Sequence, residues 1–391
     1  MTRRPLRHPL STSGAVLAAC GLAIILAGCS APAASAPADD VDWDALSHDE
    51  LVEMAEDEGE VTVYAFTSRI AAIEESFEAE YPGIDVVASD ISSSELITRL
   101  STEHTAGSAT ADVAYVSDAP VVVTELLADG VLLPYLPSRV ADALPDEHKE
   151  PLVANRLSTK VLMYNEEAHP DGPPVSNLWE LTDPEWAGKV VLVDPNVRGD
   201  YLDLATEFSL RADEMADAYA EHFGEEIALE DGVADAGLQF MTNLYANDAV
   251  LVDDTDTVNA AVGATGQDAP PVGFTSYSDR RDNEDEGWAL QVASGVAPSP
   301  GIVFPAYLGV TAGAENPAAA RLLIDYMMGD DSETGGAGFE PFYVAGDYPT
   351  RTDIETPADA LSLDELAAWQ IDPEVSAERR SDVADFLLTI Q

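Results

Sequence analysis

Two cysteines and three lysines are all that 391 residues contain, and both shortages exclude functions. Lysine and arginine together number 18 against 73 aspartates and glutamates, a formal net charge of −55. Affinity for nucleic acid comes largely from basic side chains that release condensed counterions, and anionic lipid headgroups attract the same residues. DNA, RNA and polybasic membrane docking are therefore excluded as partners. Catalytic signatures are scarce too. The sequence has no Gly-x-Ser-x-Gly elbow, no phosphate-cradling Gly-Lys-Ser/Thr loop and no histidine pair one helical turn apart. Asp194-Pro195-Asn196-Val197-Arg198-Gly199-Asp200 imitates half of a calcium loop, but Arg198 holds a ligand position and Ala205 stands where a bidentate glutamate belongs. Gly335-Gly336-Ala337-Gly338 lacks the preceding strand of a dinucleotide loop. An enzyme, such as a secreted lipoprotein hydrolase, is the rival reading, and an adhesin or structural lipoprotein is a third.

What is abundant points to a folded extracytoplasmic protein. Hydrophobic residues make up 46% of the chain and Trp, Tyr and Phe total 28, enough for a sizeable core despite the charge. At about 150 residues per domain, two domains or lobes are expected. Arg3, Arg4 and Arg7 open the chain, Ala15 to Ala27 is apolar, and Leu26-Ala27-Gly28-Cys29 follows, which reads as a signal peptide ending in a lipobox. Cys29 is then lipidated, Cys20 is discarded, and the mature protein has neither a free thiol nor a disulfide. Thr2-Arg3-Arg4-Pro5-Leu6 leaves twin-arginine export open beside the ordinary route. Cleavage before Cys29 leaves 15 cations against 73 acids, a net charge of −58. Such an excess self-repels unless salt screens it, over about 3 Å at 1 M, so a salty habitat is expected.

The periodicity alternates between strand and helix. Ser30 to Asp40 is an Ala/Pro/Ser tether, and a short acidic helix starts near Ser47-His48-Asp49-Glu50. Val61 to Phe66 is a strand, followed by a helix with Ile70, Ile73 and Phe77 on one face. Ile84 to Val87 and Ala111 to Val116 are strands, and Ser92-Ser93-Ser94 opens a helix carrying Leu96, Ile97 and Leu100. Further strands are expected at Lys160 to Tyr164, Val190 to Val193, Val250 to Val252 and Val272 to Thr275, and helices at Asp213 to Phe223 and Ala236 to Ala246. This many strands calls for two sheets, hence two α/β lobes. The acidic run Asp279 to Glu286 reads as a solvated loop.

Several segments resemble one family. Glu60-Val61-Thr62-Val63-Tyr64 and Phe77-Glu78-Ala79-Glu80-Tyr81-Pro82-Gly83-Ile84 are similar to the opening of the ferric-ion-binding-protein-like solute-binding proteins. Ser94 to Leu100, Ala111-Asp112-Val113, Tyr164-Asn165, Leu178-Trp179-Glu180-Leu181 and Trp186-Ala187-Gly188-Lys189-Val190 continue the resemblance in order. Ala314 to Ala320 and Tyr348-Pro349-Thr350-Arg351 close it, so that it spans about residues 58–355. The resemblance implies a type II periplasmic-binding fold, with two lobes closing on a ligand. It implies a lipid-anchored, monomeric subunit of an ABC importer, without a cofactor, whose partners are the permease and a small solute. Residues 1–28 are then the signal peptide and 29–56 the lipidated cysteine, tether and acidic helix. Residues 57–158 with 300–335 form lobe 1, 159–299 lobe 2, and 336–391 a C-terminal helical segment packing on the lobes.

Candidate ligand contacts lie where strands end and helices begin, because helix N-termini offer free N–H groups. Ser68 and Arg69 occupy one such turn, and Ser93 and Ser94 another. Arg198 and Tyr201 lie on the segment resembling the family's ligand-facing Ser-Gly-Thr stretch, from which Arg198-Gly199-Asp200-Tyr201 departs. Where ferric members carry two adjacent tyrosines, Phe274-Thr275-Ser276-Tyr277-Ser278-Asp279 offers one, and the family's early histidine is missing between Ala65 and Arg69. A small polar or anionic organic solute is the expected cargo. Ferric iron held by Tyr277 and Asp279 is the alternative.

Overall fold

A computed structural model describes residues 41–391; the signal segment, Cys29 and the tether through Asp40 lie outside the described residues. The chain enters through the helix His48–Glu58, whose start is fixed by a reciprocal cap. Ser47 Oγ accepts the Glu50 N–H, and the Glu50 carboxylate accepts the Ser47 N–H at 2.9 Å. Gly59, at φ +77°, ends the helix in a left-handed turn that glycine adopts without strain.

Twelve strands follow: β1 Glu60–Ala65, β2 Asp85–Asp90, β3 Val113–Val116, β4 Leu132–Leu133, β5 Val153–Asn165, β6 Val190–Val193, β7 Val250–Val252, β8 Val272–Thr275, β9 Leu290–Val292, β10 Gly301–Thr311, β11 Tyr348–Pro349 and β12 Trp369–Gln370. They do not divide into the two separate sheets expected. Hydrogen bonding runs unbroken through β2-β1-β3-β10-β5-β8-β6-β7, with the four short strands at its sides. Two parallel triplets, β2-β1-β3 and β8-β6-β7, are joined by the antiparallel pair β5 and β10. Those two strands, 13 and 11 residues long, are the reason for the continuity. β10 pairs with β3 through Tyr307 to Val310 and with β5 along nearly its whole length, while the far end of β5 pairs with β8.

Each triplet has its own core. Along β1, Val61, Val63 and Ala65 enter one hydrophobic cluster with Ile73 and Phe77, while Tyr64 enters another with Leu96 and Leu100. This two-residue alternation puts helices on both faces of the first half. A third cluster, around Trp179, Phe208, Phe240 and Phe274, forms the core of the second half. Residues 336–391 serve both, with Phe339 and Phe342 in a first-half core and Trp369, Val383 and Leu387 in the second. That segment is not only helical, since β11 and β12 add to β5 and β10. The acidic run 279–286 also departs from expectation. It forms the turns Tyr277–Asp282 and Asn283–Glu286, and Asp279 is buried. No helix among the described residues is long and apolar enough to cross a membrane.

Candidate functional site

β5 is buried at every position, yet it carries Arg156, Ser158 and Lys160 at two-residue spacing. Alternation along a strand turns these three to one face, and all three line a cavity of about 230 Å³. The first half contributes Phe66, Thr67, Ser68 and Arg69 from the turn after β1. The second half contributes Arg198 and Asp200 after β6, Thr255 after β7, and Ser276, Asp279 and Arg281 after β8. Phe304 of β10 completes the floor. The cavity thus opens between the two parallel triplets at their carboxyl ends, where α/β sheets receive ligands.

Five cations, Arg69, Arg156, Lys160, Arg198 and Arg281, surround this space in a chain with only 18. Each leans on a buried aspartate. Asp347 lies under Arg69 and Arg156 together, one carboxylate oxygen to each guanidinium. Arg156 is fully buried; its Nε donates to the Tyr115 hydroxyl at 2.8 Å and its guanidinium lies over the Phe342 ring at 4.9 Å. Arg69 donates to the Pro341 carbonyl at 3.1 Å, and its buried Nε has no hydrogen-bond partner. Asp200 is shared in the same manner, by Lys160 at 3.0 Å and by a two-pronged Arg198 at 3.2 and 3.0 Å. Lys160 also donates to Ser276 Oγ at 2.8 Å, and Arg198 to Thr255 Oγ1 at 3.0 Å. Asp279 accepts from Arg281 at 3.0 Å and Asn259 at 2.9 Å.

The electrostatics follow from this sharing. Burial pushes the Asp200 carboxyl up, but Arg198 and Lys160 outweigh it and bring it down to about 2. Burial pulls the Lys160 ammonium below its ordinary value, and Asp200 only partly restores it. Asp347 and Asp200 each carry two cations, an excess of one positive charge at each, whereas Arg281 is matched by Asp279 and pairs also with Asp282 at 2.9 Å. The other lining acids, Asp90, Asp254 and Asp256, are exposed where water screens them. The Asp254 carboxylate is moreover engaged in capping the helix Thr255–Gly263, accepting the Thr257 N–H at 2.8 Å. Donors fixed on two shared buried aspartates, each pair one positive charge in excess, are an arrangement that receives an anion.

Of the residues proposed from sequence, the cavity gathers Ser68, Arg69, Arg198 and Asp279. The rest are placed elsewhere. Ser93 is buried with its hydroxyl 2.8 Å from that of Ser117, and Ser94 Oγ donates to the Val197 carbonyl at 3.4 Å. Tyr201 is buried and its hydroxyl donates to the Phe274 carbonyl at 2.8 Å. Tyr277 is buried in the second core, its hydroxyl accepting from the Leu361 N–H at 3.4 Å. Among the described residues no group of three or more His, Cys, Asp or Glu could hold a metal ion. Sequence reasoning missed Arg156, Lys160 and Arg281. The signal for the first two was present: two of the chain's few cations, four residues apart, inside an otherwise strand-like run.

A mixed α/β fold whose two parallel triplets flank a polar cavity, spanned by two long antiparallel strands, is that of the type II periplasmic binding proteins. The profile of the bacterial extracellular solute-binding proteins matches residues 60–334, and the chain belongs to that family. Among solved structures it is similar to iron-bound HitA from Pseudomonas aeruginosa, at 20% identity and a TM-score of 0.64, covering 85% of this chain and 99% of that one. It is similar to AfuA from Actinobacillus pleuropneumoniae with bound fructose-6-phosphate, at 17% and 0.64, covering 85% and 98%. It is also similar to AgtB from A. tumefaciens R10 in complex with agropinic acid, at 15% and 0.60, covering 85% and 98%. No curated protein matches the chain. The protein is a non-enzymatic, extracytoplasmic solute-binding subunit of an ABC importer, working with permease subunits and needing no cofactor.

Proposed function

We propose that the cargo is a small anionic organic solute, held in the cavity and delivered to the permease when the halves have closed on it. The observation that carries this reading is the gathering of five cations, four of them sharing just two buried aspartates, in a chain of net charge −55. A solute touching both halves binds the closed form better than the open one, and that difference in affinity drives closure. At about 230 Å³ the cavity is smaller than the roughly 300–1,000 Å³ of drug-sized sites, which suits a small metabolite. Ferric iron, the alternative cargo, finds Asp279 already engaged by Arg281 and Asn259, and the Tyr277 hydroxyl at the Leu361 N–H. Native mass spectrometry of the protein as purified is expected to show an organic anion retained at one equivalent. A retained ferric ion, or a strong visible band on adding ferric citrate, overturns the reading.

Anchoring through a lipidated Cys29, with the lipobox as its basis, and a monomeric state complete the proposal. Cys29→Ala is expected to move the protein from the membrane to the soluble fraction; the variant sedimenting with membranes speaks against the anchor. The acidic excess is read as adaptation to salt, because screening relieves repulsion among like charges. The unfolding midpoint is expected to rise from low to molar salt. A flat or falling profile refutes that explanation.

A further inference from the structure

Pro373–Ile390, at 18 residues the longest helix among the described residues, touches both halves. Its seat on the second half is extensive. Val383 and Leu387 are fully buried in that core, Ser376 Oγ donates to Glu207 at 2.8 Å, and Arg379 pairs with Asp235 at 2.8 Å. Its other side rests on the segment 119–127 of the first half. At the crossing, Arg380 Nε donates to Asp203 Oδ1 at 2.7 Å, and Nη2 reaches Asp118 Oδ1 at 3.5 Å. Asp203 belongs to the helix Gly199–Leu210 of the second half, whereas Asp118 follows β3 in the first. Both carboxylates are about 1% exposed. The halves meet closely here, since a Cβ on Gly199 would collide with the Asp118 carboxylate.

We propose that the C-terminal helix is a closure clamp and that Arg380 is its positioning residue, bridging the halves beside the solute cavity without lining it. The proposal rests on the reading that solute is captured by closure. The geometry shows the need, because two buried carboxyl groups from opposite halves meet at one guanidinium, with Asp200 near both. Burial raises both carboxyls, and Arg380 opposes that rise in each; Arg198 also lowers Asp118, and Glu125 faces Arg380 from the 122–127 segment. One guanidinium between the two links the halves, its fork reaching both groups as a point charge would not.

Small-angle scattering of the ligand-free protein tests this without any solute. Arg380→Ala is expected to shift the open-to-closed ratio at least about fivefold toward open, read as a larger radius of gyration. Its circular dichroism should match that of the unaltered protein, because the contacts of Val383, Leu387, Ser376 and Arg379 remain. Should that variant not fold, Arg380→Gln, shorter by two bonds, keeps a hydrogen-bond donor near Asp203 but neither the charge nor the reach to Asp118, and carries the same test. Scattering unchanged in a folded variant overturns the clamp. Expansion together with native mass spectra of the purified protein that show no retained organic anion would leave the clamp standing and remove the anion reading instead.

Discussion

Asp347→Asn is expected to lower the unfolding free energy by about 3–5 kcal/mol, the usual consequence of removing one partner from a buried ion pair. Asp347 is fully buried and is the common carboxylate of Arg69 and Arg156, whose side chains are 13% and 1% exposed. Without it two guanidiniums stay out of water, and Arg156 keeps only the Tyr115 hydroxyl and the faces of Phe66, Tyr115 and Phe342. A surface pair such as Arg99 and Glu103, with Arg99 42% exposed, is worth no more than about 1 kcal/mol by comparison. Urea unfolding measures the difference, urea being uncharged and leaving the pair unscreened. The asparagine variant should also gain more stability from added anions than the unaltered protein does, because an anion in the cavity restores the missing charge. A loss under about 1 kcal/mol would mean that Asp347 is not the counter-charge on which the site depends.

The elements legible in the sequence were those whose apolar residues keep a simple period. β1 and the helix Ile70–Glu80 announce themselves through Val61, Val63, Ile70, Ile73 and Phe77, and the helix Ala236–Ala246 and the strands β6, β7 and β8 lie at the expected residues. β5 was seen only from Lys160 onward because Asn155, Arg156, Ser158 and Thr159 interrupt the apolar run that marks a buried strand. Two of the residues that hid the strand, Arg156 and Ser158, line the cavity, so the missed element and the missed site share a cause. β10 was hidden by Pro305, although its pairing with β5 continues across that residue. Ser93 was chosen for its place at a strand-to-helix turn, and Tyr201 for its place on a segment that resembles a ligand-facing stretch. That reasoning finds the right end of the sheet, but which side chains face the cavity depends on rotamer and neighbour: Ser93 turns to Ser117 and Tyr201 to the Phe274 carbonyl. Asp347 lies 278 residues from Arg69, and no local pattern announces such a partner.

Lys160→Met is expected to weaken capture of the anionic solute by roughly tenfold to a hundredfold. A hydrogen bond to a charged group contributes about 1.5–3 kcal/mol, and about 1.4 kcal/mol is a factor of ten in affinity. Methionine approximates the length of the lysine stem, so the strand face of β5 stays filled while the charge goes. Asp200 keeps its two bonds to Arg198, at 3.2 and 3.0 Å, which leaves that cluster neutral where it had one positive charge in excess. The loss therefore measures the unmatched charge and not a collapse of the site. The pH profile gives an independent reading of the same group. Burial holds the Lys160 ammonium below its ordinary value, so capture by the unaltered protein should weaken as pH rises through that lowered range, and the methionine variant should lack this limb. Tyr277→Phe serves as the control, since that hydroxyl meets the Leu361 N–H away from the cavity and its removal should leave affinity within about twofold. Calorimetric titration with the anion identified by native mass spectrometry makes the comparison. Equal affinities for Lys160→Met and the unaltered protein would place the solute somewhere other than this cavity.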